Sequence, residues 1–329
     1  MRKYDFGIAW DGTTEDDFVK WVKSACVKRN MLFKLINENN VHEVIKDLNH
    51  GKLKISFMLD TEANYNDPED IFTRLCYAVK DTNGYVACDP DDARDASNKA
   101  IAHYDLVKAK IPTPYTIVVR NWEPDDFSLT KEELKELGVP FVIKPATGFG
   151  QKGVLKTASG SITEIAQARH FNRGDDFLLQ KKIDPVYFDK KQGWFRVYFL
   201  FGEIIPCWWN TETGFYTHLT LKEMYTYKLL PLARITSEIS RITNMDFFTT
   251  EIAVTMEKKE KKFVAIDYVN DQPDLNIYPV KQGGGPVPEV VLHIAESMAD
   301  IAWKMKNGIF TEIYRSIWLA KAQTKDESI

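Results

Sequence analysis

Through its first 95 residues the chain switches between two spacings of apolar side chains. Residues 4–10, 32–36, 53–59 and 85–88 are short apolar runs that read as strands. Between them, Phe18, Trp21, Val22, Ala25 and Cys26 share one helical face, and a short helix is expected over 41–48. Pro68 opens a further helix through Lys80, with Ile71, Leu75 and Val79 inward. Such alternation predicts a parallel sheet with helices on both faces. No glycine fingerprint follows the first strand, so a dinucleotide-binding fold is disfavoured.

The pattern changes after a polar, proline-containing break at 89–97. A helix is expected over 98–109, ending before Ile111-Pro112-Thr113-Pro114, and a short one over 131–137, stopped by Gly138. A helix at 162–169 and a strand at 177–181 follow. The last third reads as antiparallel. Strands at 194–201 and 204–210 meet at Gly202-Glu203, and strands at 249–256 and 263–270 flank a charged turn at 257–262. An amphipathic helix is expected over 289–306. The fold class is therefore α/β, becoming α+β toward the C-terminus, with segments expected at 1–95, 96–185 and 186–329.

Composition narrows the function. A net charge of −4 gives no electrostatic footprint for nucleic acid. The cysteines Cys26, Cys76, Cys88 and Cys207 show no C-x-x-C pairing and read as reduced, buried thiols. The N-terminal residues lack a signal-like apolar region and no apolar run is long enough to span a bilayer, so a cytoplasmic protein without a membrane partner is expected.

The densest chemistry lies at Phe141-Val142-Ile143-Lys144-Pro145-Ala146-Thr147-Gly148-Phe149-Gly150-Gln151-Lys152-Gly153-Val154. An apolar strand delivers Lys144, and glycines at 148, 150 and 153 follow before a second apolar run. Glycines let a backbone approach a ligand, and successive loop N–H groups can cradle an anion. With Lys144 as a point charge, the segment reads as a phosphate-covering hairpin. It is neither a P-loop, since Val154 stands where Lys-Ser would follow, nor a dinucleotide loop, since no helix follows. An ordinary glycine-rich hairpin with a surface lysine is the bland alternative.

Two further features carry charge into apolar surroundings. Arg196 sits inside Trp194-Phe195-Arg196-Val197-Tyr198-Phe199, where it needs an anion unless it faces solvent. The hairpin at 257–262, with its midpoint between Lys259 and Glu260, sets Glu251 opposite Tyr268. Glu251 and Asn270 then share a face, and one bulge or a one-residue slip would bring Asp267 beside Glu251. Oxygen ligands of this kind suit Mg²⁺, held by one or two carboxylates together with substrate phosphates. A solvated charged hairpin is the alternative, opposed by the apolar context of Asp267.

Together these pieces resemble the ATP-grasp superfamily over residues 90 to 280, with the first 95 residues similar to the domain that precedes it. The motifs are Asn98-Lys99 ahead of Ile111-Pro112-Thr113-Pro114-Tyr115-Thr116, the segment 142–154, Gln180-Lys181-Lys182-Ile183, Arg196-Val197, and the hairpin from Glu251 to Pro273. The resemblance implies ATP as cosubstrate and Mg²⁺ as its ion. Lys99, Lys144, Gly148, Phe149, Gly150, Gln151, Lys152 and Gly153 would hold phosphates. Gln180, Lys181, Lys182 and Ile183 would hold adenine, with Asp184 standing in for a ribose-binding acid where the family position carries Tyr187. Glu251, Asp267, Asn270 and Asp271 are the metal candidates, because Tyr268 occupies the family's glutamate position. Trp194 likewise stands where relatives carry an acid.

Relatives of this size are mostly carboxylate–amine ligases, among them D-alanine–D-alanine ligase, glutathione synthetase and ribosomal-protein glutamate ligases. The resemblance thus implies an enzyme that phosphorylates a carboxylate and passes the acyl group to an amine, with Lys144 and Arg196 as catalytic cations. Small-molecule carboxylate and amine substrates are the expected partners, with a homodimer left open. An inositol-phosphate-kinase-like enzyme and a non-catalytic nucleotide-binding protein are the alternatives.

Overall fold

The alternating N-terminal pattern folds as a parallel sheet. Strands β1 (Arg2–Ala9), β2 (Phe33–Ile36), β3 (Leu53–Asp60) and β4 (Tyr85–Val86) lie in the order β2-β1-β3-β4. They are joined by α1 (Asp17–Lys28), α2 (Val41–Asn49) and α3 (Ile71–Asp81). Phe6, Ile8, Ile55 and Phe57 are buried in this core. Helix α3 starts three residues after the proline expected to open it. The Asp70 carboxylate accepts from the Thr73 N–H at 2.7 Å and caps the helix there instead.

The structure is a computed structural model and describes residues 1–148, 150–277 and 284–309. They divide into two units, one built on residues 1–90 with 200–203 and the chain from 272, the other on 91–199 and 204–271. In the expected polar break, α4 (Pro90–Ser97) forms a short helix with Ala93 and Ala96 buried. Helix α5 (Lys99–Lys108) follows at once, capped by the Asn98 side chain, which accepts from Ala100 and Ile101 N–H groups.

The second unit holds two sheets. The smaller consists of β5 (Thr116–Val119), β6 (Phe141–Pro145), β7 (Leu155–Ala158) and β8 (Phe177–Gln180) in the order β5-β8-β6-β7, with α6 (Lys131–Leu137) and α7 (Ile162–Arg169) in its connections. Period-two alternation decides its faces. Val119, Phe141, Ile143, Phe177 and Leu179 pack into one apolar cluster. Lys144 pairs in register with Leu178, and Val142 and Thr116 with Gln180, so Lys144, Gln180 and Thr116 share the opposite face.

A two-strand hairpin, β9 (Tyr187–Phe188) and β10 (Lys191–Gln192), leads into the larger sheet. There β11 (Trp194–Leu200), β12 (Glu203–Trp209), β13 (Phe215–His218), β14 (Phe247–Glu257) and β15 (Glu260–Asn270) run in the order β15-β14-β11-β12-β13. Helices α8 (Leu221–Thr226) and α9 (Pro231–Thr243) connect β13 to β14. The chain then returns to the first unit through β16 (Gly285–Pro286) and α10 (Pro288–Lys306), which packs on α1 with Glu296 bonded to Lys28 and Arg29.

The β14–β15 register corrects the sequence expectation. Its tight turn is Lys258-Lys259, both with positive φ (49° and 72°), so Glu257 pairs with Glu260. Regular pairing continues to Ile252–Ala265. Beyond it β15 carries an extra residue, Ile266, and Glu251 lies opposite Asp267 rather than Tyr268. A second irregularity then sets Thr249 opposite Asn270.

Candidate active site

The bulge at Ile266 organises the site. An unpaired bulge residue has a carbonyl that the ladder does not use. Here Lys144 Nζ donates to Ile266 O at 3.0 Å, and Gln180 Nε2 approaches the same oxygen at 3.5 Å. The shared face of the small sheet is thereby fixed to β15. The same bulge turns Asp267 toward Glu251, so two carboxylates sit side by side on neighbouring strands.

A row of charge crosses the larger sheet. Asp267 on β15 faces Glu251 on β14, and Glu251 is ion-paired with Arg196 on β11. The Arg196 guanidinium also lies over the rings of Trp209 on β12 (4.8 Å) and Tyr216 on β13 (5.2 Å). Above this row, Lys144 Nζ stands 3.8 Å from Asp267 Oδ1 and 5.5 Å from the Tyr268 ring. Lys144 and Glu251 are buried, and the Arg196 side chain is nearly so.

Burial and charge pull these groups in opposite directions. Burial lowers the Lys144 pKa against the pull of Asp267. Burial raises Glu251, and the neighbouring Asp267 adds to that, although Arg196 opposes it. For Asp267 burial is outweighed by Lys99, Lys144 and Arg196, and the carboxyl is held below its ordinary value. For Arg196 burial is outweighed by Glu251, and the guanidinium stays charged. Asp271 is pushed up to about 6, mainly by burial.

Two polar atoms in this row are left over. Asp267 Oδ1 and Arg196 Nε are buried without a hydrogen-bond partner among the described residues. An orphaned carboxylate oxygen beside a second carboxylate fits a divalent cation, and an orphaned guanidinium N–H fits an anion. Among the described residues no three His, Cys, Asp or Glu side chains form a complete cation cage. The donor set therefore fits an ion whose shell is completed by phosphate oxygens and water, as Mg²⁺ requires. Asn270 ends the same strand and Asp271 follows it, both partly buried.

The phosphate-loop candidates are arranged around Lys99. Its N–H donates to Ala146 O and its Nζ to Gly148 O, both at 2.9 Å. Asp175, which no motif in the sequence marks, anchors the loop by accepting from Thr147 N and Oγ1, each at 2.8 Å. Gly148, Gly150 and Gly153 have positive φ, as does Gln151, and Gln151 and Lys152 are exposed. Phe149 lies outside the described residues. At the adenine candidates, Gln180 is buried, whereas Lys181, Lys182 and Asp184 are exposed or nearly so and Ile183 is half-buried. The Lys181 N–H is committed to Tyr115 O (2.8 Å), and Asp184 O accepts from Thr255 Oγ1 (3.0 Å).

Beside the aromatic end of the row is a cleft of about 320 Å³, lined by Tyr187, Lys190, Trp208, Trp209 and Phe215 among others. Its size and walls suit a small ligand. Of its residues, Trp208 and Trp209 lie on β12 and Phe215 on β13.

No protein-family model matches the chain, and no curated protein matches it. Solved structures do. A D-alanine–D-alanine ligase from Bacillus anthracis, in complex with ATP, aligns over 95% of this chain and 99% of its own at 14% identity and a TM-score of 0.61. A RimK-domain ATP-grasp protein from Sphaerobacter thermophilus aligns over 91% and 98% at 15% identity and 0.59. The ATP-grasp ligase PsnB, complexed with a variant of its minimal precursor, Mg and ADP, aligns over 91% and 100% at 9% identity and 0.58. The chain has the ATP-grasp fold, as its motif order implied.

Proposed function

We propose that this protein is an ATP-dependent ligase that joins a carboxylate to an amine. The observation that carries this reading is the row Asp267–Glu251–Arg196, buried at Glu251 and half-buried at Asp267, with Lys144 above it, in a fold whose compared members include ATP-bound and Mg–ADP-bound ligases. A row with both an orphaned acceptor and an orphaned donor suits a metal-bound polyphosphate better than either ion alone.

In this reading Lys144 and Lys99 bind the phosphates, and the loop from Gly148 to Gly153 covers them with backbone N–H groups. Asp267 and Glu251, with Asn270 or Asp271, would hold Mg²⁺, which when bound neutralises charge on the phosphates. A substrate carboxylate oxygen attacks the γ-phosphorus, the bond to the bridging oxygen breaks, and ADP leaves. The amine then attacks the acyl carbon, inorganic phosphate departs with the C–O bonding pair, and the amine loses a proton. Arg196 serves both steps as a fixed cation, stabilising charge on the transferred phosphoryl group and on the tetrahedral intermediate. Its partner Glu251 and the rings of Trp209 and Tyr216 hold it in place. The cleft beside Trp209 takes the organic substrate.

The test is ADP release from MgATP across a panel of carboxylates with hydroxylamine present. A hydroxamate identifies an acyl phosphate. A stable phosphorylated alcohol with an added polyol would replace the ligase reading by a kinase, and no ADP across the panel would leave only nucleotide binding.

A further inference from the structure

The loop after β6 is held at both of its ends by one short stretch of chain, residues 171–176, which carries no motif. The entry to the loop is polar. Asp175 Oδ2 accepts from Thr147 N and Oγ1, and the Ala146 N–H donates to Asp176 O, all at 2.8 Å. The exit is apolar. Gly153 has a φ of 72°, and a β-carbon at that position would lie 2.4 Å from Phe171 Cδ1. The Phe171 ring therefore rests directly on the glycine backbone, and position 153 needs a glycine for the ring as well as for its φ.

The stretch that holds the loop is itself fixed. Arg169, buried at the end of α7, donates to Pro124 O at 2.8 Å, Glu123 O at 2.6 Å and Arg120 O at 3.2 Å. Asp176 accepts from Arg120 Nη1 at 2.8 Å and from the Asn121 N–H at 2.9 Å, and Asn121 Nδ2 donates to Gly174 O at 3.1 Å. Residues 171–176 are thus braced at both ends against residues 120–124, and the loop is mounted on that brace. Its two mounts differ in strength. Hydrogen bonds to a buried carboxylate and a carbonyl hold the entry. At the exit a ring that is 57% exposed lies on one glycine.

We propose that Phe171 and Asp175 are positioning residues that fix the two ends of the phosphate loop, so that its N–H groups are ordered before a triphosphate arrives. This rests on the nucleotide-binding reading above. A loop that is already ordered adds no ordering entropy to the cost of binding, whereas a loop freed at one end must be ordered by the ligand. The effect falls on the phosphates, because that reading assigns the base to residues 180–183. Phe171 is the sharper probe of the two. Its exposure means that truncating it removes little core packing, so the fold survives.

The experiment is calorimetric titration of MgATP and of adenosine into the full chain, with hydrogen exchange followed over residues 150–154 and over α7. Phe171→Ala should bind MgATP about tenfold more weakly while adenosine affinity stays within about twofold of wild type. Exchange should quicken over 150–154 and stay unchanged over α7. Phe171→Leu keeps an apolar group over the glycine and should recover most of the lost affinity. Asp175→Ala removes two hydrogen bonds from the entry and should show the same selective loss. If that variant fails to fold, the two Phe171 variants decide alone. Unchanged MgATP affinity in Phe171→Ala overturns the inference. So do equal losses for the two ligands, or quickened exchange throughout α7, which are the marks of a merely structural ring. Failure of the wild type to bind MgATP would instead sink the nucleotide-binding reading itself.

Discussion

Replacing Lys144 with methionine separates charge from shape at the centre of the site. Methionine retains most of the length of the stem, so the loss is confined to the ammonium. In the folded protein that ammonium gives one hydrogen bond to Ile266 O at 3.0 Å and one ion pair at 3.8 Å. Ile266 O keeps the Gln180 amide at 3.5 Å, and removal of Lys144 also relieves the penalty of burying a charge. The stability change should therefore stay within about 2 kcal/mol. Binding is affected more. A hydrogen bond between charged groups contributes about 1.5–3 kcal/mol, which corresponds to a loss of roughly 10- to 150-fold in MgATP affinity. Adenosine, which carries no phosphate, should bind with nearly unchanged affinity. Calorimetric titration of both ligands into folded Lys144→Met provides the comparison. Equal losses for MgATP and adenosine, or none for MgATP, would refute the assignment of Lys144 to the phosphates.

Asp267→Asn should leave the fold intact and reduce the Mg²⁺ dependence of nucleotide affinity by at least about tenfold, measured by titrations with and without the ion; full retention of that dependence would move the ligand role to Asp271. Glu251→Gln leaves the Arg196 guanidinium short of its main partner in a buried place, so chemical denaturation should show a loss of about 3 kcal/mol, smaller in Glu251→Gln/Arg196→Met. In the first unit, burial pushes the Asp60 carboxyl up to about 7, above the 3.8 of an ordinary aspartate. The folded state then holds a proton that the unfolded state releases between these values, so Asp60 stabilises the fold at low pH and its contribution falls as pH rises through 7. The size is on the order of 4 kcal/mol at most, and Asp60→Asn should flatten the decline in melting temperature between pH 5 and pH 8.

The two sheets differ in how plainly the sequence announces them. The parallel sheet is legible because β1 and β3 are bounded apolar runs with helical spacing between them. Lys144 and the glycines are legible for a similar reason, since an apolar strand that ends in a cation and a glycine-rich turn is a costly arrangement unless an anion meets it. Helix α9 is not legible. Its buried face includes Thr236 and Ser240, which blunt the apolar periodicity and are satisfied locally by bonds to Leu232 O and Met245 O. The capping box of Thr220 and Glu223 is a readable signal for α8. The pairing of Glu251 with Asp267 can be named from sequence only as one outcome of a bulge. A bulge leaves no mark in an alternating pattern until the partner strand is known. Asp175 is invisible because its task, holding Thr147, depends on a contact between distant parts of the chain.

The extra residue in β15 divides the hairpin into an outer and an inner part. From the Lys258-Lys259 turn to Ala265 the strands keep one phase, which breaks at Ile266 and shifts once more between Asp267 and Asn270. Changes in the outer part need not reach the inner one. A hairpin shortened or lengthened near the turn by one residue from each strand per step, two such steps at a time, would return every side chain to its original face and leave both carboxylates where they are. Deleting Ile266 would do the opposite. Glu251 and Asp267 could still face each other across a regular ladder, but the carbonyl that receives Lys144 and Gln180 would be gone. Natural or engineered variation in this protein should therefore tolerate paired changes at the tip of the hairpin and reject a single missing residue at position 266.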